Sequence, residues 1–177
     1  MKSSSAPESR SRRHLRPETA VLFTVAERLF AIAADAVQEI RSTDSLAGSA
    51  SEISDSPLAK VRHTLERGRG ISYVVNTGIH FGLPITRPAL VLILRQRRVA
   101  VLVDRIERMA EIPGVLSLPP AFTGPERRWY RGLTYIEDQI IPVVDPTGFL
   151  TDDDLRLLDQ AVQAGAMRGE PVGAARS

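Results

Sequence analysis

The sequence predicts a mostly β protein, built as two similar small barrels fused in tandem, with a short helix in one loop and another at the C-terminal end. Three observations carry this. Short β-prone runs separated by tight turns begin at residue 21, their pattern recurs later in the chain, and helical spacing shows only in the first long connection and after residue 150. A chain of 177 residues that is 43% hydrophobic can bury a real core.

The elements follow in order. Residues 1–18 are rich in Ser and Arg and hold five basic and two acidic side chains, so they read as a disordered basic tail, and the remainder of the chain is left close to neutral. VLFTVA (21–26) and RLFAIA (28–33) read as a hairpin; after an Ala34-Asp35-Ala36 bend, VQEIR forms a third strand. The connection from Ser42 to Gly68 carries a short helix over 57–67: Ser56 can cap it, Pro57 suits its first position, Leu58, Val61 and Leu65 share a face, and Gly68 stops it. Shifting Val21–Ile40 by 69 positions lays it on Leu90–Met109, with Asp35 on Asp104. Arg69–Val74 recurs as Arg131–Ile136 at a displacement of 62, and the difference falls in a connection. Two barrel modules of roughly 20–86 and 88–150 follow, since closing each sheet removes its exposed edges. Three aspartates before Leu155, Leu158 and Val162 suit the first turn of a C-terminal helix over 151–164, and 166–177 reads as a flexible tail.

The chemistry that the sequence lacks narrows the function. Without cysteine there are no disulfides or thiolate sites, which fits a reducing cytoplasm. The longest apolar run, Ala89–Leu94, is far too short to span a bilayer, and no apolar stretch follows the N-terminal charges as a secretory signal would need. His14, His63 and His80 have no metal-ligand spacing, Arg67-Gly68-Arg69-Gly70 is a turn and not a phosphate loop, and no catalytic motif stands out, so neither cofactor nor enzymatic activity is expected. The rival signal is Arg127-Arg128-Trp129-Tyr130-Arg131, which mixes cations with stacking rings as single-strand nucleic-acid binders on small barrels do. Against it, Trp129 and Tyr130 open a β run whose alternate residues enter a core. The charged tip Arg95-Gln96-Arg97-Arg98 reads as a solvated hairpin end.

Taken in order, VLFTVAERLFAIAADAVQEIR, RRVAVLVDRIERMAEI, the stretch from Leu116 through Pro119-Pro120 to Leu133, IIPVVDPTGFL and Leu157-Leu158-Asp159 resemble the CheW domain over nearly all of 20–165. The resemblance implies a domain over 19–165 of two fused five-stranded, SH3-like barrels. It implies a non-enzymatic cytoplasmic adaptor, recruited to receptor arrays at the membrane without inserting into it, that bridges chemoreceptor tips to the CheW-like regulatory domain of a CheA-type histidine kinase. Carried over by motif, Val37, Glu39 and Arg41 lie on the strand used toward the kinase, and Gly70 matches the glycine opening the family's G-x-x-N-L-R-G segment. On that match Val75 takes the place of the family's arginine, which implies a lost contact and a specialised adaptor. No nucleic acid is expected among its partners.

Overall fold

The computed structural model describes residues 16–95 and 97–168; the tail expectations for 1–15 and 169–177, and those for His14 and Gln96, lie outside them. The first hairpin pairs β1 (Glu18–Val25) with β2 (Arg28–Ala33) through a two-residue turn, Ala26-Glu27, with φ of 48° and 61°. Turns of this hand match the twist of the strands they join. A 3-10 turn at Ala34–Ala36 leads into β3 (Val37–Ser42), and β4 (Ala50–Glu52), β5 (Val61–Arg67), β6 (Gly70–Asn76) and the single-turn helix α1 (Thr77–Phe81) follow. The second half supplies β7 (Leu90–Leu94), β8 (Val99–Val103), β9 (Arg105–Ile112), β10 (Tyr130–Ile136), β11 (Gln139–Val144) and α2 (Asp152–Arg168).

These strands form two sheets, in the orders β10-β11-β2-β1-β9 and β3-β7-β8-β6-β5-β4. The sheets do not follow the two halves of the sequence. β3 leaves its own hairpin to pair with β7, and β9 leaves the β7–β8 hairpin to pair with β1. Modules of 20–86 and 88–150 are therefore corrected to one sheet made within 37–103 and another made from the two ends of the chain around it. An apolar repeat reveals which strands are alike but not which of them pair.

The repeat itself is more regular than the sequence reading had it. Steps of 69 residues carry β5 onto β10 and β6 onto β11, as they carry the three strands before them. Irregularities recur at the same step: the register shifts between Val61 and His63 and between Tyr130 and Gly132, and Gln38 and Glu107 are both skipped in pairing. The match at 62 is thus a correction, because it lays β6 on β10. β6 lies inside its sheet, between β8 and β5, whereas β10 is the end strand of the other.

Each sheet curls until the chain leaving its last strand meets the opposite edge. Beyond β3 the chain returns as β4 beside β5, a sixth short strand; beyond β9 it returns at Leu116, which exchanges 2.7 and 2.9 Å hydrogen bonds with Leu133 of β10. Inside one curl sit Ala20, Leu22, Ala31, Ile112, Ile141 and Val143, and inside the other Leu46, Leu65, Val74, Val91, Ile93 and Ala100. The largest cluster fills the space between them: Phe23, Phe30, Tyr73, Phe81, Phe149 and the apolar residues around them. Central strands are apolar on both faces because each faces one private core and the shared one.

No helix spans 57–67. Residues 61–67 form β5, hydrogen-bonded to β4 and β6. The misreading has a physical cause: the bulge at Val61–His63 interrupts the alternation, so the buried residues are Val61, Thr64 and Leu65, at spacings of three and four. That imitates a helical face. α1 gives no periodic signal because it is one turn long, capped by Asn76, whose Oδ1 accepts from the Ile79 amide at 3.1 Å. α2 runs one turn further than 164, and its aspartates serve as a cap: Asp154 Oδ2 accepts from the Thr151 amide while Thr151 Oγ1 accepts from the Asp154 amide.

Candidate functional site

β3 is an end strand, paired with β7 along one edge only. Skipping Gln38 between the pairs Val37–Leu94 and Glu39–Ile93 bulges the strand, a feature that discourages indiscriminate edge pairing. Val37 is half-buried against the shared core. Glu39 and Arg41 share a face and form a forked pair, with Arg41 Nε 2.6 Å from Glu39 Oε1 and Nη2 3.1 Å from Oε2. The hydrogen bond from Arg41 holds the Glu39 carboxyl below its usual range, and Glu39 in turn raises Arg41. The pair is about two-fifths exposed, so it contributes little to the stability of the fold.

Gly70 begins β6, exposed, with open space where a Cβ would stand. It lies in a surface hollow with Arg41, Arg67, Arg97 and Arg98. The structure thus places Arg41 and Gly70 around one hollow and adds three arginines that the sequence reading did not assign to any site. Arg67 reaches back to Gln38 Oε1 at 3.2 Å. The signal was present in the Arg67–Gly70 turn and the 95–98 tip, which read separately as turns; only the packing of β6 beside β8 makes them neighbours.

Arg98 also locks α2 in place. Its guanidinium lies 5.3 Å from the Tyr73 ring centre and forks onto Asp159, which accepts a 2.5 Å bond from the Tyr73 hydroxyl. The Arg98 hydrogen bond is the main force lowering the Asp159 pKa, while burial and Asp159 raise that of Tyr73. Val75, by contrast, is no part of any surface. Its side chain is fully buried in the shared core, so the reading of Val75 as the site of a lost arginine contact is corrected: the segment match placed a family surface position on an inward-facing strand residue.

A second feature lies where α1 meets the sheet that holds β2, β10 and β11. Leu29, Phe30, Phe81, Leu83, Tyr130 and Ile140, with Arg28 and Gln139 beside them, line an open groove of mixed polarity, and the rings of Phe30, Phe81 and Tyr130 stack with centroids 4.7 and 5.8 Å apart. No sequence signal marks it, since its walls come from β2, α1, β10 and β11. The Arg127–Arg131 cluster is engaged elsewhere. Trp129 and Tyr130 pack on the shared core, Arg127 donates to the Phe122 carbonyl, and Arg131 forks onto Glu18 at 2.8 and 3.2 Å. Among the described residues no three His, Cys, Asp or Glu side chains gather as a metal site would require, and no helix is long and apolar enough to cross a membrane.

Comparison with known proteins places this architecture. The model of the CheW-like domain matches residues 19–154. Among solved structures, the scaffolding protein TtCheW from Thermoanaerobacter tengcongensis superposes with a TM-score of 0.64 over 77% of this chain and 95% of its own, at 18% identity, a likeness of fold. No curated protein matches the chain.

Proposed function

The chain belongs to the CheW-like domain family, and from that premise we propose that it is a non-enzymatic scaffold coupling chemoreceptors to a CheA-type histidine kinase. The observation that carries the reading is the open edge of β3, where Arg41, held by its fork with Glu39, lines an arginine-rich hollow that Gly70 shares. A charged, bulged edge suits a partner of complementary charge and rejects others, which is what a selective scaffold requires. Val37, Glu39, Arg41 and Gly70 are the proposed kinase-binding set. The open groove lined by Phe30, Phe81, Tyr130 and Ile140 mixes aromatic and aliphatic side chains with polar ones, as a seat for an amphipathic helix would, and we assign it to the receptor. A cytoplasmic location, with recruitment to receptor arrays, goes with this role.

The test is titration calorimetry of the full chain and its Glu39→Arg variant against the CheW-like regulatory domain of a CheA-type kinase and, separately, a receptor tip fragment. The reading expects the variant to melt within about 2 °C of the native chain, because the lost pair is exposed, while kinase affinity falls at least about tenfold. Unchanged affinity for both partners in a folded variant overturns the assignment of β3. Salt-sensitive retention of nucleic acid would favour the barrel-type binder instead.

A further inference from the structure

α2 is held to the rest of the chain by little apolar surface and much charge. Of its residues only Leu158 is buried, with Leu155, Ala161 and Val162 half-buried against the shared core. Three ion pairs complete the attachment: Arg97 with Asp152 at 3.9 Å, Arg98 with Asp159 through the fork that also takes the Tyr73 hydroxyl, and Asp55 with Arg168 at 2.8 Å. Every member of these pairs is at least a third exposed, so each tie is modest and open to exchange. A 17-residue helix has little stability of its own, and a change in these ties changes how firmly α2 stays docked.

Two of the three cations have a second place. Arg97 and Arg98 wall the hollow at the β3 edge, together with Arg41 and Arg67. Of these four guanidiniums, Arg41 is engaged by Glu39 and Arg98 by Asp159, whereas Arg67 donates to the neutral side-chain oxygen of Gln38 and Arg97 has the more distant Asp152. Glu66 also lines the hollow, and among the described residues it pairs with none of them. Arg67 and Arg97 therefore keep donors for a further carboxylate, the group that already forks onto Arg41 and Arg98 around the same space.

We propose, resting on the reading of this edge as the partner surface, that an acidic segment of the partner seats a carboxylate in the hollow and that its arrival loosens α2. A carboxylate that reaches Arg98 either displaces Asp159 or stands beside it as a like charge, and one that reaches Arg97 does the same to Asp152. Both outcomes weaken a tie. Occupation of the hollow and docking of α2 are thus antagonistic, and by linkage each opposes the other to the same extent. α2 is a competitor carried on the same chain, supplying Asp152 and Asp159 to the cations that the partner seeks.

The probe is an end-capped tri-glutamate peptide, with tri-glutamine as the uncharged control, titrated at low ionic strength into the full chain and its Asp159→Asn and Asp152→Asn variants by amide NMR, with hydrogen exchange of α2 followed alongside. Tri-glutamate is expected to shift the amides of Arg67, Arg97 and Arg98. It should bind Asp159→Asn about two- to fivefold more tightly than the native chain, the worth of one exposed ion pair, and speed exchange in α2 by a similar factor. Asp152→Asn, which leaves the Tyr73 cluster intact, should tighten binding in the same direction with its melting midpoint unchanged. Native affinity in both variants, with exchange in α2 unmoved by bound tri-glutamate, overturns the coupling; absent binding, or equal binding of tri-glutamine, overturns the acidic occupant. The CheW-like regulatory domain of a CheA-type kinase, added in place of the peptide, separates the two readings: if it fails to bind while tri-glutamate still loosens α2, the partner assignment of β3 falls and the coupling stands.

Discussion

Gly132→Ala and Gly70→Ala form a matched pair, because the sequence aligns these glycines and the structure separates them. A Cβ on Gly132 would stand 2.0 Å from the Leu116 carbonyl oxygen, 2.7 Å from Val115 Cγ1 and 3.0 Å from the Leu116 carbonyl carbon. Real Cβ atoms do not approach backbone so closely, so Leu116 must retreat by an ångström or more, and its two hydrogen bonds to Leu133 fail. Each is worth ~1 kcal/mol net, and groups left buried and unpaired cost ~1–3 kcal/mol more. A total of ~3–5 kcal/mol lowers the melting midpoint of a domain this size by ~6–20 °C. Around Gly70 nothing lies within 4 Å, so Gly70→Ala should melt with the native chain. Thermal melting by circular dichroism reads both, and amide exchange at Leu116 and Leu133 shows whether the bridge has opened. The reasoning fails if Gly132→Ala melts within about 2 °C of the native protein, or if Gly70→Ala is destabilised as much.

Two further outcomes follow from buried positions. Val75→Arg, which would restore a surface cation if the segment match were right, instead drives a guanidinium into the shared core; with ~1.5–3 kcal/mol of Val burial lost and an unpaired charge added, it should fail to fold or melt far below the native chain, and a native-like midpoint would return Val75 to the surface. Asp159 has its pKa depressed in the fold, so its contribution to stability is present above the ordinary aspartate range and is lost as pH falls through the folded value. Asp159→Asn should therefore lower the melting midpoint at neutral pH and flatten the acid limb of the stability curve, and an unchanged acid limb would show that the Arg98–Tyr73–Asp159 cluster does not hold α2.

What the sequence disclosed depended on how far each signal was local. The β1–β2 hairpin, the bend at Asp35 and the cap of α2 are set by neighbouring residues and were legible. The end of the first connection was not, since the bulge at Val61–His63 gave a strand the spacing of a helix. The offset of 62 won over 69 for the later strands because Arg-Gly followed by an alternating run is conspicuous, while the true partners, Val61–Arg67 and Tyr130–Ile136, have little composition in common. Within the candidate site, Glu39 and Arg41 were found because they lie on one strand at spacing two. Arg67, Arg97 and Arg98 join them only through the parallel pairing of β6 with β8, and Val75 was misplaced because a motif aligned by letters does not state which face of a strand a residue occupies.

The exchange of β3 and β9 gives the two sheets different histories on the ribosome. Strands β3 to β8 are contiguous, so their sheet can be assembled as soon as residue 103 has emerged. The hairpin β1–β2 comes out first yet must wait for β9 on one side and β11 on the other, with both edges bare while the neighbouring sheet is made. Long-range pairing of this kind is slow, and an unpaired apolar hairpin is an invitation to another nascent chain. Two halves that are equivalent in space are unequal in time, and a chain interrupted before residue 112 would display Leu22 and Phe23 with no strand to cover them.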